Sequence, residues 1–306
     1  MEGLLARELI VVTGKGGVGK STVAAALGLA AARRGRRTIV AEVARRDDVR
    51  RTLGARGGRG GPGDEDELAA GLHHLSIDPE QAMQEYLVDQ LASHALAGAL
   101  SSNGAFAALA AAAPGLRELV TMGKVWELAQ ADRRTPGARP YDLVVLDAPA
   151  TGHGVALLSA PRTFAAMARV GRIARQGQAI DALVADRART GVIAVARAEE
   201  MPVNETLALQ EALRAQLGLD LDLVLVNGVL PERFDADEAR ALEGAGDGPA
   251  LRAARTAHRR AQAQRGQIGR LRHGARAPVA TLPFVFAPAL EAKHVQALSR
   301  ELEAAL

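Results

Sequence analysis

The chain has 306 residues, of which 48% are hydrophobic, 24% charged and 3% aromatic, with a net charge of +3 and no cysteine. That is an ordinary globular composition with enough apolar residues for a sizeable core, and it excludes disulfides and thiolate metal sites. The N-terminal stretch MEGLLAREL carries acids and does not read as a secretory signal. The longest nearly uncharged run, Ala95 to Leu116, is interrupted by Ser, Asn, Gly and Pro. It reads as an amphipathic helical hairpin, not a membrane span, and the chain reads as soluble and cytoplasmic.

Glu8 to Thr13 (ELIVVT) is a short β-branched run ending at a glycine-rich loop, and Lys20 to Arg34 then carries a helical pattern. Arg37 to Val43 (RTIVAEV) is a second buried strand. Strand, loop, helix and strand within about 35 residues make a βαβ unit and hence a parallel sheet. Gly54 to Gly63 is too glycine-rich for regular structure, and Asp64 to Glu67 reads as a solvated acidic run in a loop. Leu72 to Asp78 is a brief strand, followed by a mostly helical stretch from Pro79 to about Ala131. Tyr141 to Leu146, Gly191 to Val195 and Leu221 to Val226 are further buried strands, with helix from Pro161 to Arg189 between the first two. Leu251 to Arg276 is basic and contains no acid. Its apolar residues fall at helical spacing without interleaved aromatics, so it reads as the solvated face of a helix, which argues against nucleic acid. Val279 to Phe286 gives a last strand and Ala289 to Leu306 a closing helix. The alternation predicts an α/β fold, a layered and mostly parallel sheet with helices on both faces.

Only four lysines occur among the 38 basic residues, and two of them, Lys15 and Lys20, share the glycine loop. Gly14, Gly19, Lys20 and Ser21 meet the pattern G-x-x-x-x-G-K-[ST], which chance gives in roughly one chain of this length in a hundred. Here it also lies between a strand and a helix. The candidate phosphate-binding loop is Gly14, Lys15, Gly16, Gly17, Val18, Gly19, Lys20, Ser21 and Thr22. Glycines let backbone N–H groups converge on phosphate, and the helix N-terminus adds its dipole. Lys20 is the candidate for the β- and γ-phosphates, where a compact ammonium fits better than a planar guanidinium. Ser21 is a candidate Mg²⁺ ligand.

The second motif, LDAPATGH from Leu146 to His153, follows a buried strand. An acid at a strand's C-terminal end faces the ligand crevice of a parallel sheet, so Asp147 is the candidate for the Mg²⁺ shell. Gly152 lets this loop approach the γ-phosphate.

DAPATGH followed by VALLSAPRTF resembles the switch II segment of the ArsA-type ATPases, the anion-transporting and tail-anchored-protein-targeting group. APGLRELVTMGKVWEL (Ala113 to Leu128), VIAVARAEEMPVNETLAL (Val192 to Leu209), LVLVNGVLPE (Leu223 to Glu232) and TLPF (Thr281 to Phe284) are similar to further stretches of that family in the same order. The K-G-G-x-G-K-[ST] form resembles its deviant Walker A motif. The resemblance implies one P-loop ATPase domain over residues 1–306, with helical subdomain segments at about 79–135 and 155–190. It implies ATP and ADP binding with Mg²⁺, Asn227 on the adenine, and the adenine loop beginning at Pro283 and Phe284. It also implies a homodimer, or a heterodimer with a related subunit, in which Lys15 is donated to the partner's nucleotide. A protein client follows from the same resemblance; a peripheral membrane link stays open.

The sequence also departs from the family. The family's water-positioning acid falls at Ala44 in a gapless register, and a shifted register lets Glu42 serve instead. Two alternatives therefore stand beside a slow, nucleotide-switched ATPase: an ATP-holding regulatory subunit of weak activity, and a ParA/MinD-like positioning ATPase. Without cysteine, neither a zinc-clasped dimer nor a thiolate arsenite site can form.

Overall fold

The computed structural model describes residues 3–43, 46–55, 64–90, 115–134, 137–168 and 171–306. The described residues form an eight-stranded sheet: β1 (Leu9–Gly14), β2 (Thr38–Val43), β3 (Asp66–Ala69), β4 (Leu72–Ile77), β5 (Leu143–Asp147), β6 (Thr190–Ala196), β7 (Leu223–Val229) and β8 (Val279–Pro283). Their order is β3-β4-β2-β5-β1-β6-β7-β8, and all neighbours are parallel except β3 and β4. β1 thus lies inside the sheet, between β5 and β6, where the strand order reverses, the place at which open parallel sheets bind their ligands.

Helices cover both faces, which is why the central strands read as continuous apolar runs instead of alternating ones. Ile10, Val12, Val40, Val145, Ile193 and Leu225 pack toward α1 (Lys20–Arg33) and α10 (Ala292–Ala305). Their neighbours Val11, Ala41, Leu146, Val192 and Val226 point to the other layer. That layer holds α4 (Leu116–Leu128), α5 (Thr151–Ala168), α6 (Arg172–Ala185), α7 (Glu200–Leu217) and the long α9 (Pro249–Gly274). Three more α-helices, α2 (Asp48–Thr52), α3 (Pro79–Gln90) and α8 (Ala236–Gly244), and a 3₁₀ turn at Leu4–Ala6 complete the described set. α3, α4, α5 and α6 pack on one another.

The acidic run corrects the sequence reading: Asp66 begins an edge strand, β3, paired antiparallel with β4 from Asp66–His74 to Ala69–Leu72. A polar, half-exposed edge strand lacks the apolar signature that marks the others. The basic segment is helical as expected, and its buried residues are Ala261, Gln264, Ile268 and Leu271. Ala44, most of the Gly54–Gly63 loop and nearly all of the Ala95–Leu116 run lie outside the described residues. No described helix is long and apolar enough to cross a membrane.

Candidate nucleotide site

The loop between β1 and α1 is shaped by its glycines. Gly14 has φ +142°, and a Cβ there would meet the Val195 carbonyl oxygen at 2.1 Å. Gly19 caps α1 at φ +96°, and a Cβ there would lie 2.3 Å from the Asn227 amide nitrogen. Both positions combine a left-handed backbone with a close neighbour, so only glycine fits. The first N–H groups of α1 have no side-chain cap, which leaves donors and the positive end of the helix for an anion.

Lys20 is buried, with 6% of its surface exposed, and its amine donates to the Lys15 carbonyl at 3.1 Å. Burial lowers its pKa, against the opposing pull of Asp147. Asp147 lies beside the loop because β5 pairs with β1 at Val12–Asp147. Ser21 donates its hydroxyl to Asp147 Oδ2 at 2.5 Å. The other oxygen, Oδ1, is buried without a hydrogen-bond partner. Burial pushes the Asp147 carboxyl up to about 6; the Ser21 hydrogen bond opposes this and the neighbouring Glu42 reinforces it.

Two hard oxygen donors side by side, one carrying an unsatisfied lone pair, suit Mg²⁺. Among the described residues no group of three or more His, Asp or Glu could hold a metal ion. A divalent ion held by Ser21 and Asp147 would take its other ligands from phosphate and water, the usual habit of Mg²⁺.

The remaining expected residues fall into two groups. Asn227 reaches the loop, donating its amide to the Val18 carbonyl at 2.9 Å. Pro283 pairs with Val229, and the Phe284 N–H donates to the Val229 carbonyl at 2.8 Å, so the ends of β7 and β8 stay together. Gly152 and His153 stand exposed in the first turn of α5. Glu42 is fully buried and accepts from the Asp48 and Val49 N–H groups at 3.0 Å each, while His74 Nε2 lies 2.8 Å from its Oε2. Both carboxylate oxygens are thereby engaged with the start of α2 and with β4.

Lys15 forms an ion pair with Glu205 on α7, whose second oxygen accepts the Thr151 hydroxyl at 3.2 Å. Neither Glu205 nor Thr151 stands out in sequence, although both lie within stretches resembling the family. Arg46 was missed as well: its charge acts on both Lys20 and Asp147.

The sequence profile of the anion-transporting ATPase family matches residues 7–178 and 165–245. The chain belongs to the anion-transporting ATPase family. Membership carries ATP hydrolase activity, and the eight-stranded sheet fits it. The chain is 34% identical over 259 residues to the ATPase BagA of Mycobacterium tuberculosis, covering 80% of this chain and 72% of that protein. It is 27% identical over 245 residues to an arsenical pump-driving ATPase of Acidiphilium multivorum, covering 72% of this chain and 39% of the other. ATPase ARSA1 of Chlamydomonas reinhardtii is 26% identical over 318 residues, with 80% and 39% covered.

Proposed function

We propose that this family member is a Mg²⁺-dependent ATPase that works as a nucleotide-switched dimer, turns over slowly and controls a protein client through its two states. The observation that supports the reading most is the Ser21–Asp147 contact, with Asp147 Oδ1 buried and unpartnered beside a glycine-shaped loop. In this reading Lys20 and the N–H groups of Gly14 to Thr22 hold the phosphates of ATP or ADP. Ser21 and Asp147 hold the metal, which when bound neutralises charge on the transferring phosphoryl group. The Asn227 amide nitrogen is spent on Val18, which leaves its carbonyl oxygen for the amino group of adenine. Pro283 and Phe284 border the base. Lys15 leaves Glu205 and completes the nucleotide site of the partner, and the helices around α4, α5 and α6 form the client-facing subdomain.

ATP turnover and solution mass, each measured with and without nucleotide and Mg²⁺, test the reading. Mg²⁺-dependent turnover with an ATP-induced doubling of mass is expected. If Lys15→Arg leaves both unchanged, the donated lysine is refuted.

A second reading rests on Glu42. With both its oxygens committed to α2 and His74, Glu42 anchors the loop and does not position water. That favours an ATP-holding regulatory subunit whose hydrolysis is completed by a related partner. Brisk single-turnover hydrolysis by the isolated chain would rule it out.

A further inference from the structure

Two buried polar atoms at the ends of β1 and β5 have no hydrogen-bond partner, Thr13 Oγ1 and Asp147 Oδ1. They lie on opposite faces of the sheet. Asp147 meets Ser21 on the α1 side. Thr13 continues the alternation of Leu9 and Val11, so it faces the other layer, with 1% of its surface exposed. There it meets the first turn of α5, which residues 148–150 link to Asp147. The link starts close against β1, because the Ala148 N–H donates to the Val12 carbonyl at 2.9 Å.

Gly154 lets α5 come this near. A Cβ there would lie 2.8 Å from Thr13 Oγ1 and 3.4 Å from the Pro149 carbonyl oxygen. The hydroxyl and that carbonyl therefore flank one space, which any other residue at 154 would fill. A buried hydroxyl without a partner costs stability, and folded proteins keep few of them. A small movement of the link closes the space, and the hydroxyl is free to rotate and donate to the carbonyl. Gly152, the point of the link expected to approach the γ-phosphate, stands two residues before Gly154. A metal on Asp147 and a terminal phosphate at Gly152 would hold the link at both ends, as γ-phosphate contacts order switch loops elsewhere.

Resting on the nucleotide reading above, we propose that Thr13 is a positioning residue. Its hydroxyl donates to the Pro149 carbonyl when Mg²⁺ and ATP are bound, and so latches the link between β5 and α5 in the loaded arrangement. ADP lacks the terminal phosphate and leaves the hydroxyl unpaired, so the latch favours the triphosphate.

Isothermal titration of ATP and ADP, both with Mg²⁺, into the wild type, Thr13→Val and Thr13→Ser tests this, together with melting curves of the three nucleotide-free proteins. Thr13→Val keeps the shape and removes the hydroxyl. It weakens ATP binding about fivefold, the worth of one hydrogen bond between uncharged groups. Its ADP affinity stays within about twofold, and without nucleotide it melts no lower than wild type. Thr13→Ser keeps the hydroxyl and stays within about twofold of wild type for both nucleotides. Equal losses for ATP and ADP in Thr13→Val, or none for either, overturn the inference. So does a nucleotide-free Thr13→Val that melts several degrees lower, because the hydroxyl is then already bonded in the empty chain. A Thr13→Ser protein that loses as much ATP affinity as Thr13→Val overturns it too, since packing of the methyl then carries the effect. The nucleotide reading fails separately, and takes this inference with it, if the wild type binds no ATP.

Discussion

Lys15 is paired with Glu205 of its own chain, and the other oxygen of that carboxylate accepts the Thr151 hydroxyl at 3.2 Å. One acid on α7 thus ties the glycine loop to the first turn of α5. A lysine that serves a partner's nucleotide must first give up this contact. Each side chain of the pair is about one-third exposed, so the pair contributes only about 0–1 kcal/mol to stability. Glu205→Ala is therefore expected to leave the melting temperature almost unchanged while lowering the ATP concentration that drives dimerisation, read by analytical ultracentrifugation. A dimerisation midpoint identical to wild type would show that the pair gates nothing.

Lys20 behaves differently, because its ammonium is buried and its pKa is lowered by that burial. The buried charge costs free energy. Lys20→Ala should keep or slightly raise stability at pH 7 while weakening ATP binding by about 100-fold or more. Lys20→Arg should fail almost as badly, since a guanidinium fork does not fit where one compact cation donates to the Lys15 carbonyl. Near-normal binding by Lys20→Arg, measured by calorimetry, would contradict this steric account.

The parts of this molecule readable from sequence are those set by local pattern. β1, β2, β5, β6 and β7 announce themselves because both their faces are buried, which leaves unbroken runs such as LIVV at Leu9 to Val12. The glycine loop and Asp147 are legible because chemistry fixes their spacing. β3 was read as loop because its edge position tolerates Asp66 and Glu67. The Lys15–Glu205 pair joins residues 190 positions apart, and no local pattern encodes such a contact. Glu42 shows the same limit. A carboxylate at a strand end reads as catalytic, and only strand register and the start of α2 reveal what its two oxygens hold.

Gly19 and Asn227 form a tight pair that a double-mutant cycle can dissect. Gly19→Ala places a methyl 2.3 Å from the Asn227 amide nitrogen and forces an L-residue to φ +96°. Asn227→Ala alone loses its hydrogen bond to Val18, a cost of about 1 kcal/mol. In the double variant the clash vanishes while the backbone strain of about 1–2 kcal/mol persists. The two substitutions together should cost less than their sum by about 1 kcal/mol or more, measured by urea denaturation. Strict additivity would mean that the loop shifts away from Asn227 at no cost.

Asp147 sets a pH dependence whose sign follows from the direction of its shift. Its pKa in the folded chain is raised from 3.8 to about 6, chiefly by burial. A raised carboxyl favours folding most when protonated, so its contribution is complete below about pH 3.8 and is lost as pH rises through about 6. The loss corresponds to roughly 3 kcal/mol. Asp147→Asn cannot ionise and keeps an oxygen for the Ser21 hydroxyl. In metal-free and nucleotide-free buffer it should match wild type near pH 4 and melt several degrees higher at pH 8. With Mg²⁺ and ATP the order should reverse, because ligand binding to the ionised carboxylate stabilises only the wild type. Parallel melting curves for the two proteins from pH 4 to 8, with no gap opening, would show that Asp147 ionises without cost in the folded chain. Its unpartnered oxygen would then be no preformed metal ligand.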